Sequence, residues 1–321
     1  MEIINTIVGT PLGYVMRFCY RLLNNYGLAI ILFTLITKII MFPISLLVKK
    51  NSIKMVKMKP ELDALRYQYV DDKDAYVDAQ SALYKKEKYS PMAGVWPLLL
   101  QLPIIFGLLD VVYKPLKHLL HISADTASAF VARAAEISGM TVADLGSTAQ
   151  LTAVNLVKDN AAKFADIPGA DAAIEAIKGL NTNFLGIDLT QTPSISHINL
   201  IFFVPIIAGL SALLMCWIQN RINVLQIEQN KLSQWGMTIF MIAFSTFFAF
   251  IVPAGVGLYW AWGNLFAIGV MYLVNVIYSP KKYINYDALE DMKKQAAEEK
   301  ATAKKNKALA KKYYKQFFSS E

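Results

Sequence analysis

The sequence predicts an all-α, polytopic membrane protein: five transmembrane helices around a hydrophilic groove open to the cytoplasm, plus a cytoplasmic helical hairpin. Three observations carry this expectation. Hydrophobic residues make up 55% of the 321-residue chain and charged residues only 17%, which is too apolar for a soluble domain. Five apolar segments, 28 to 48, 97 to 113, 199 to 218, 235 to 252 and 255 to 277, reach or approach the roughly 20 residues a helix needs to cross the hydrocarbon. The first of them holds a lysine, Lys38, near its middle. A cation at that depth is expensive and is tolerated where it faces protein or water.

Residues 1 to 27 place Leu12, Val15, Met16, Cys19, Leu22 and Leu23 at helical spacing, continuing from Ile3, Ile4, Ile7 and Val8, with Arg17 and Arg21 between them. This predicts an interfacial amphipathic helix; a short extra span is the alternative. The stretch lacks a basic start, a clean apolar block and a small-residue cleavage site, so no cleavable leader is expected.

Residues 49 to 96 contain ten Lys or Arg against seven acids and predict a helical hairpin, with arms at about 50 to 69 and 74 to 88. Its expected seam joins Ile53, Val56, Leu62, Leu65 and Tyr69 to Tyr76, Val77, Leu83 and Tyr84. The long connection 114 to 198 carries six basic and eight acidic residues and is rich in Ala, which predicts several short helices forming a small cap. Residues 219 to 234 form a loop with Arg221 and Lys231, and 278 to 321 form a basic tail with eleven Lys against six acids from 281 onward. Because Lys and Arg accumulate in short cytoplasmic segments, 49 to 96, 219 to 234 and the tail are expected inside, 114 to 198 outside, with the N-terminus out and the C-terminus in. Lys304, Lys305, Lys307, Lys311 and Lys312 lie in a stretch of the tail, 300 to 315, that has no acid. Such a block is commonly a solvated helix or arm, and in the cytoplasm it suits anionic lipid or ribosomal RNA.

The polar residues within the spans form a constellation. Thr34 and Lys38 are one helical turn apart, and Ser45 falls on nearly the same face. Gln101 belongs to the second segment, Ser211 and Gln219 lie in or just after the third, Thr238, Ser245 and Thr246 in the fourth, and Tyr259, Trp262 and Asn264 in the fifth. Singly, such residues are common interhelical glue; with one embedded cation they predict a polar cavity. Asp110 is the one carboxylate within any segment. It falls near the outer end of the second helix, away from Lys38, so the cation is expected to be kept hospitable by water from a cytoplasmic opening.

Other chemistries find little support. Cys19 and Cys216 sit in apolar surroundings and read as buried small hydrophobes, and His118, His121 and His197 fall outside the apolar runs. No metal site, cofactor or intramembrane hydrolase constellation is expected. A transporter usually shows internal repeats or several membrane carboxylates, and neither is visible.

Four motifs, in order, resemble the YidC/Oxa/Alb family of membrane protein insertases over most of the chain. Tyr26-Gly27 opens a span that ends in Pro43 and leads through a basic, Met-containing stretch to KPELDALR at 59 to 66. SPMAGVWPLLLQLPI at 90 to 104 is similar to the family's second-span pattern, with Ser90 where Asn is usual. FLGIDL at 184 to 189 and VPAGVGLYWAWGNLF at 252 to 266 are similar to segments before the third span and in the fifth. The resemblance implies a five-helix core with a groove closed outward and open to cytoplasm and lipid. It implies insertion of nascent membrane proteins without nucleotide hydrolysis, alone or beside the Sec translocon, in the bacterial plasma membrane. The family's groove cation corresponds to Lys38, the polar residue one turn earlier to Thr34, and the substrate-contacting aromatic of the last span to Tyr259. The family's cation is typically Arg, a planar fork, whereas lysine is a compact and strongly hydrated charge. The outer connection is also longer than is usual for five-span members.

Overall fold

In the computed structural model, the described residues are 9–69, 72–196, 198–223, 231–287 and scattered positions between 290 and 305. They are almost wholly helical, and five helical segments are long and apolar enough to cross a membrane: Tyr26–Arg66, Pro91–Tyr113, Leu200–Ile222, Lys231–Ile251 and Ala254–Tyr283. The fold is therefore all-α and polytopic. The chain divides into two compact units.

The first unit holds the described parts of Met1–Phe42, Pro97–Asn220 and Asn230–Val270. Helix α1, Thr10–Leu23, begins with Pro11 in its first turn, where a missing N–H costs nothing, and stops at Asn24, which takes a left-handed conformation. Its buried side is Gly13, Met16 and Cys19. Tyr14, Phe18 and Leu22, four residues apart, form a separate exposed apolar stripe. Helix α2, Tyr26–Gln68, contributes its first seventeen residues to this unit. After α3 (Lys73–Lys86), which belongs to the second unit, comes α4, Trp96–Tyr113, and a short turn α5, Pro115–His118, ends it.

A small helical subdomain follows: α6 (Ala124–Ile137), α7 (Val142–Leu145), α8 (Ala149–Asn160) and α9 (Ala170–Lys178). Alanine permits close helix approach here, and Phe130, Phe164, Val154, Val157 and Ile177 are fully buried between the helices. The Ser123 hydroxyl caps α6, and Thr141 with Asp144 makes a reciprocal capping box on α7. Arg133 closes the edge with a two-pronged bond to Asp166 at 2.9 and 2.8 Å.

The chain then forms a two-stranded hairpin, β1 (Asn183–Phe184) against β2 (Ile187–Asp188), the sole strand pair among the described residues. This hairpin explains three of the motifs. Phe184 lies so close over Gly27 that a Cβ at Gly27 would overlap its ring. The backbone beyond it is tied at one end to the start of α2, by Tyr26 N–H to Asn181 O at 3.0 Å and Asn25 Nδ2 to Asn183 O at 3.0 Å. At the other end it accepts from Ala254 N–H (to Gln191 O, 2.8 Å) and Gly255 N–H (to Leu189 O, 2.9 Å), orphan donors at a helix N-terminus.

Three membrane-long helices complete the unit: α10 (Phe203–Ile222), α11 (Lys231–Ile251) and α12 (Ala254–Ile277). Small residues set their spacing. Gly209 of α10 leaves room for the Thr246 hydroxyl of α11, and Gly257 of α12 leaves room for Val204. One continuous apolar core runs from Met16 and Phe33 through Leu108, Leu116 and Leu189 to Phe130 and Val256.

The second unit holds the described parts of Pro43–Trp96, Arg221–Gln229 and Met271–Glu321. The first span and the first hairpin arm belong to one helix: α2 runs on through Pro43 and Pro60. Proline in a helix interior deletes one bond and kinks the rod without ending it when the surroundings hold it. Helix α3, Lys73–Lys86, is capped by Asp72, whose carboxylate accepts from Ala75 N–H at 2.9 Å. The seam with α2 uses Met58, Leu62 and Leu65 against Leu83 and Tyr84. It is shorter than the sequence suggests, because Val77 is exposed and Ile53 and Val56 pack instead on Ile284 and Tyr278. Ile284 follows α13, Pro280–Tyr283. Asn51 holds Ser90 by both its backbone groups, at 2.8 and 3.0 Å, and Lys49 donates to Asn275 Oδ1 at 2.9 Å. Lys304 and Lys305 are exposed and helical; Lys307, Lys311, Lys312 and His197 lie outside the described residues.

Candidate functional site

Helix α2 presents Ile30, Phe33, Thr34, Thr37 and Lys38 on one face, since positions three and four apart coincide. Both threonine hydroxyls bond back to their own helix, Thr34 Oγ1 to Ile30 O at 2.6 Å and Thr37 Oγ1 to Thr34 O at 2.7 Å. Each hydroxyl proton is thereby committed, and the hydroxyl oxygens remain free to accept.

Helix α12 places Tyr259 against this face. Its ring lies 6.3 Å from that of Phe33, and it is almost fully buried. Gln101 Nε2 of α4 donates to Tyr259 Oη at 3.0 Å. The Tyr259 hydroxyl also pairs with Thr37. Gln101, Tyr259 and Thr37 thus connect three membrane-long helices.

One turn beyond Thr34, Lys38 is half-exposed, and no charged partner faces it among the described residues. Opposite it stands Gly263, one turn after Tyr259 on α12: a Cβ there would be 3.9 Å from Lys38 Cε and 4.0 Å from its Nζ. A methyl would fit there in ordinary contact, whereas a larger side chain would compete with the ammonium for the space. Asn264, also buried, donates through Nδ2 to Ser211 Oγ at 3.0 Å, and Ser211 passes its proton to Ala208 O at 2.7 Å.

The other sequence-nominated residues are placed differently. Ser245 accepts from Trp260 Nε1 at 3.0 Å, under a ring that packs against Phe244 and Phe248. Trp262 is half-buried and pairs with Phe266, 5.4 Å between centroids. Gln219 is half-buried, while its neighbour Asn220 makes the bond across to α11, Nδ2 to Thr238 Oγ1 at 3.2 Å. Ser45 is half-buried in the second unit. Sequence reasoning passed over Thr37 and Gly263; the helical repeat from Thr34 and from Tyr259 is the signal that points to both.

Asp110, nine residues or about 13 Å along α4 from Gln101, has its own cations. His118 Nε2 is 2.7 Å from one carboxylate oxygen and Lys114 Nζ 2.5 Å from the other, and both Asp110 and His118 are buried beneath Gly9 and Gly13 of the N-terminal segment. Among the described residues no three His, Cys, Asp or Glu side chains are grouped to hold a metal ion.

Membrane-long helices joined to one another by polar side chains, with a cation among them, define a multi-pass membrane protein of the all-α class. The chain belongs to the 60Kd inner membrane protein family, whose profile matches residues 18–282. Among its relatives, the membrane protein insertase YidC of Rhizobium meliloti (strain 1021) is 27% identical over 260 residues, covering 80% of this chain and 34% of the relative. The protein of the same name from Sinorhizobium fredii (strain NBRC 101917 / NGR234) is 29% identical over 260 residues, 80% of this chain and 35% of that one. That of Brucella suis biovar 1 (strain 1330) is 27% identical, again over 80% of this chain and 34% of its own. The chain thus spans about a third of the length of the curated relatives it matches.

Proposed function

We propose that this protein is a membrane protein insertase that moves transmembrane segments of nascent membrane proteins into the bilayer of a bacterial plasma membrane. The observation that carries the reading is Lys38, a cation in a membrane-long helix with no charged partner facing it among the described residues and with Gly263 opposite. A purely structural lysine would be expected to find a carboxylate, and the one embedded acid, Asp110, is engaged by Lys114 and His118.

In this reading Lys38 and Gln101, both partly exposed, line a groove open to the cytoplasm, and the buried Thr34, Thr37, Tyr259 and Asn264 form the polar wall behind them. They replace part of the hydration of a substrate's polar, often acidic, tail. The substrate's apolar helix leaves along the lipid side, past Tyr259 and α2, and its burial drives the transfer. At about 25 cal/mol per Å² of apolar surface, a spanning helix gains far more than a short tail costs, so no nucleotide hydrolysis is needed. The N-terminus faces outward and the C-terminus inward. The Sec translocon is a partner in part of this work, and the basic tail, Lys304 and Lys305 with Lys307, Lys311 and Lys312, contacts anionic lipid or the ribosome.

Reconstituted vesicles programmed with nascent chains test the proposal. Lys38→Glu should cut insertion of acidic-tailed substrates most, by tenfold or more if about 1.4 kcal/mol of attraction is replaced by repulsion, while Lys38→Arg should retain it. Equal insertion by wild type and Lys38→Glu would sink the electrostatic role.

A further inference from the structure

The connection into α10 displays apolar side chains left largely uncovered by the other described residues. Leu185, in the hairpin turn, is 82% exposed, Ile195 76% and Ile198 75%. Leu200, the first residue of the membrane-long segment Leu200–Ile222, is more than half exposed, and its Cδ1 lies 3.2 Å from where a Cβ on Gly186 would stand. The hairpin turn and the start of the span are therefore neighbours. Exposed apolar residues scattered singly need no explanation, but these are continuous with Phe203, Ile207 and Leu210, exposed on the membrane-crossing helix itself.

Two further observations bear on what covers them. No Asp, Glu, Lys or Arg occurs anywhere from 189 to 220. Water accepts charge at no cost in the 189–199 part of that run, whereas charge becomes progressively disfavoured from the bilayer interface inward and Ser, Thr and Asn are admitted. Leu185 also holds φ at +54°, a left-handed conformation that burdens leucine and that glycine or asparagine adopts freely. A leucine kept there puts its side chain at the outermost point of the hairpin.

We propose that the β1–β2 turn and the connector to α10 are seated in the lipid interface, with bilayer acyl chains covering Leu185, Ile195, Ile198 and Leu200. The hairpin then acts as a float that sets the depth at which α10 enters the membrane. This rests on the fold alone and stands whether or not the chain is an insertase.

The test is site-specific NBD labelling of Leu185→Cys, Ile195→Cys and Ile198→Cys in the full chain, reconstituted in phosphatidylcholine–phosphatidylglycerol vesicles. Asp171→Cys, on an exposed position of α9, is the aqueous reference. Cys19 and Cys216 are buried, and the unmutated chain carried in parallel measures any label they take. The three interface positions should give blue-shifted emission and iodide quenching several-fold weaker than at 171. Lipids brominated high on the acyl chain should quench them more than lipids brominated near the methyl end. Iodide quenching equal to that at 171 overturns the proposal. Shielding from iodide without quenching by either lipid also overturns it, and assigns the surface to a protein partner.

Discussion

Tyr259→Phe removes one oxygen from the middle of a hydrogen-bonded chain, and its cost can be worked out link by link. Two contacts are lost: the bond accepted from Gln101 at 3.0 Å and the pairing with Thr37. Thr37 keeps its own bond to the Thr34 carbonyl. Gln101 is half-buried, so its amide can turn toward another acceptor. With neither partner stranded, the change should cost about 1 kcal/mol, the net worth of one ordinary bond, and not the larger penalty of an orphaned buried group. Gln101→Leu removes the opposite partner. If the two residues interact as the geometry shows, the double variant should cost less than the sum of the singles by about 0.6 kcal/mol, the typical coupling of intramembrane polar pairs. Reversible unfolding of the four proteins in mixed detergent–SDS micelles, followed by circular dichroism, measures that coupling. Strict additivity would refute the link from α4 to α12.

Gly263→Leu should raise helix propensity in α12 yet fill the space beside Lys38, so insertion in vesicles should fall several-fold while unfolding in micelles is unchanged or harder. Gly27→Ala drives a methyl into Phe184, and unfolding should show a loss of about 1–3 kcal/mol from overpacking. The Arg133 fork holds the Asp166 carboxylate below its usual range. A carboxylate depressed in the folded state stabilises above its unfolded pKa, near ~4, and loses that contribution as pH falls through the folded value. Amide exchange in α6 and α8, corrected for intrinsic rates, should therefore quicken below about pH 4, and Arg133→Ala should blunt the dependence.

The helical, membrane-crossing character of the chain was legible because it depends on local hydropathy summed over about 20 residues, which long-range contacts do not alter. Polar residues at that depth were equally visible: Gln101, Tyr259, Ser211 and Asn264 stand out against Leu and Ile, and the structure pairs them. What stayed hidden is what packing decides. Thr37 looked like one more threonine until Tyr259 came within reach, and Gly263 matters only through its neighbour Lys38. Nothing in the run 49 to 96 revealed that Ile53 and Val56 turn away from α3 toward Ile284, more than 220 residues later in the chain. That the first span and the first hairpin arm form one helix is likewise a matter of packing, since neighbours must hold the rod across Pro43 and Pro60.

The backbone strand from Asn181 to Gln191 stitches the first turn of α2 to the first turn of α12 through four hydrogen bonds. Further along, the same two helices meet through the Tyr259 hydroxyl, and at Lys38, twelve residues or about 18 Å from Tyr26, the side chain of α2 faces only the bare Gly263 of α12. Eleven residues beyond, Lys49 donates to Asn275 and ties the pair again. The least-fastened stretch of the two helices is therefore the one that carries the charge, between two ties.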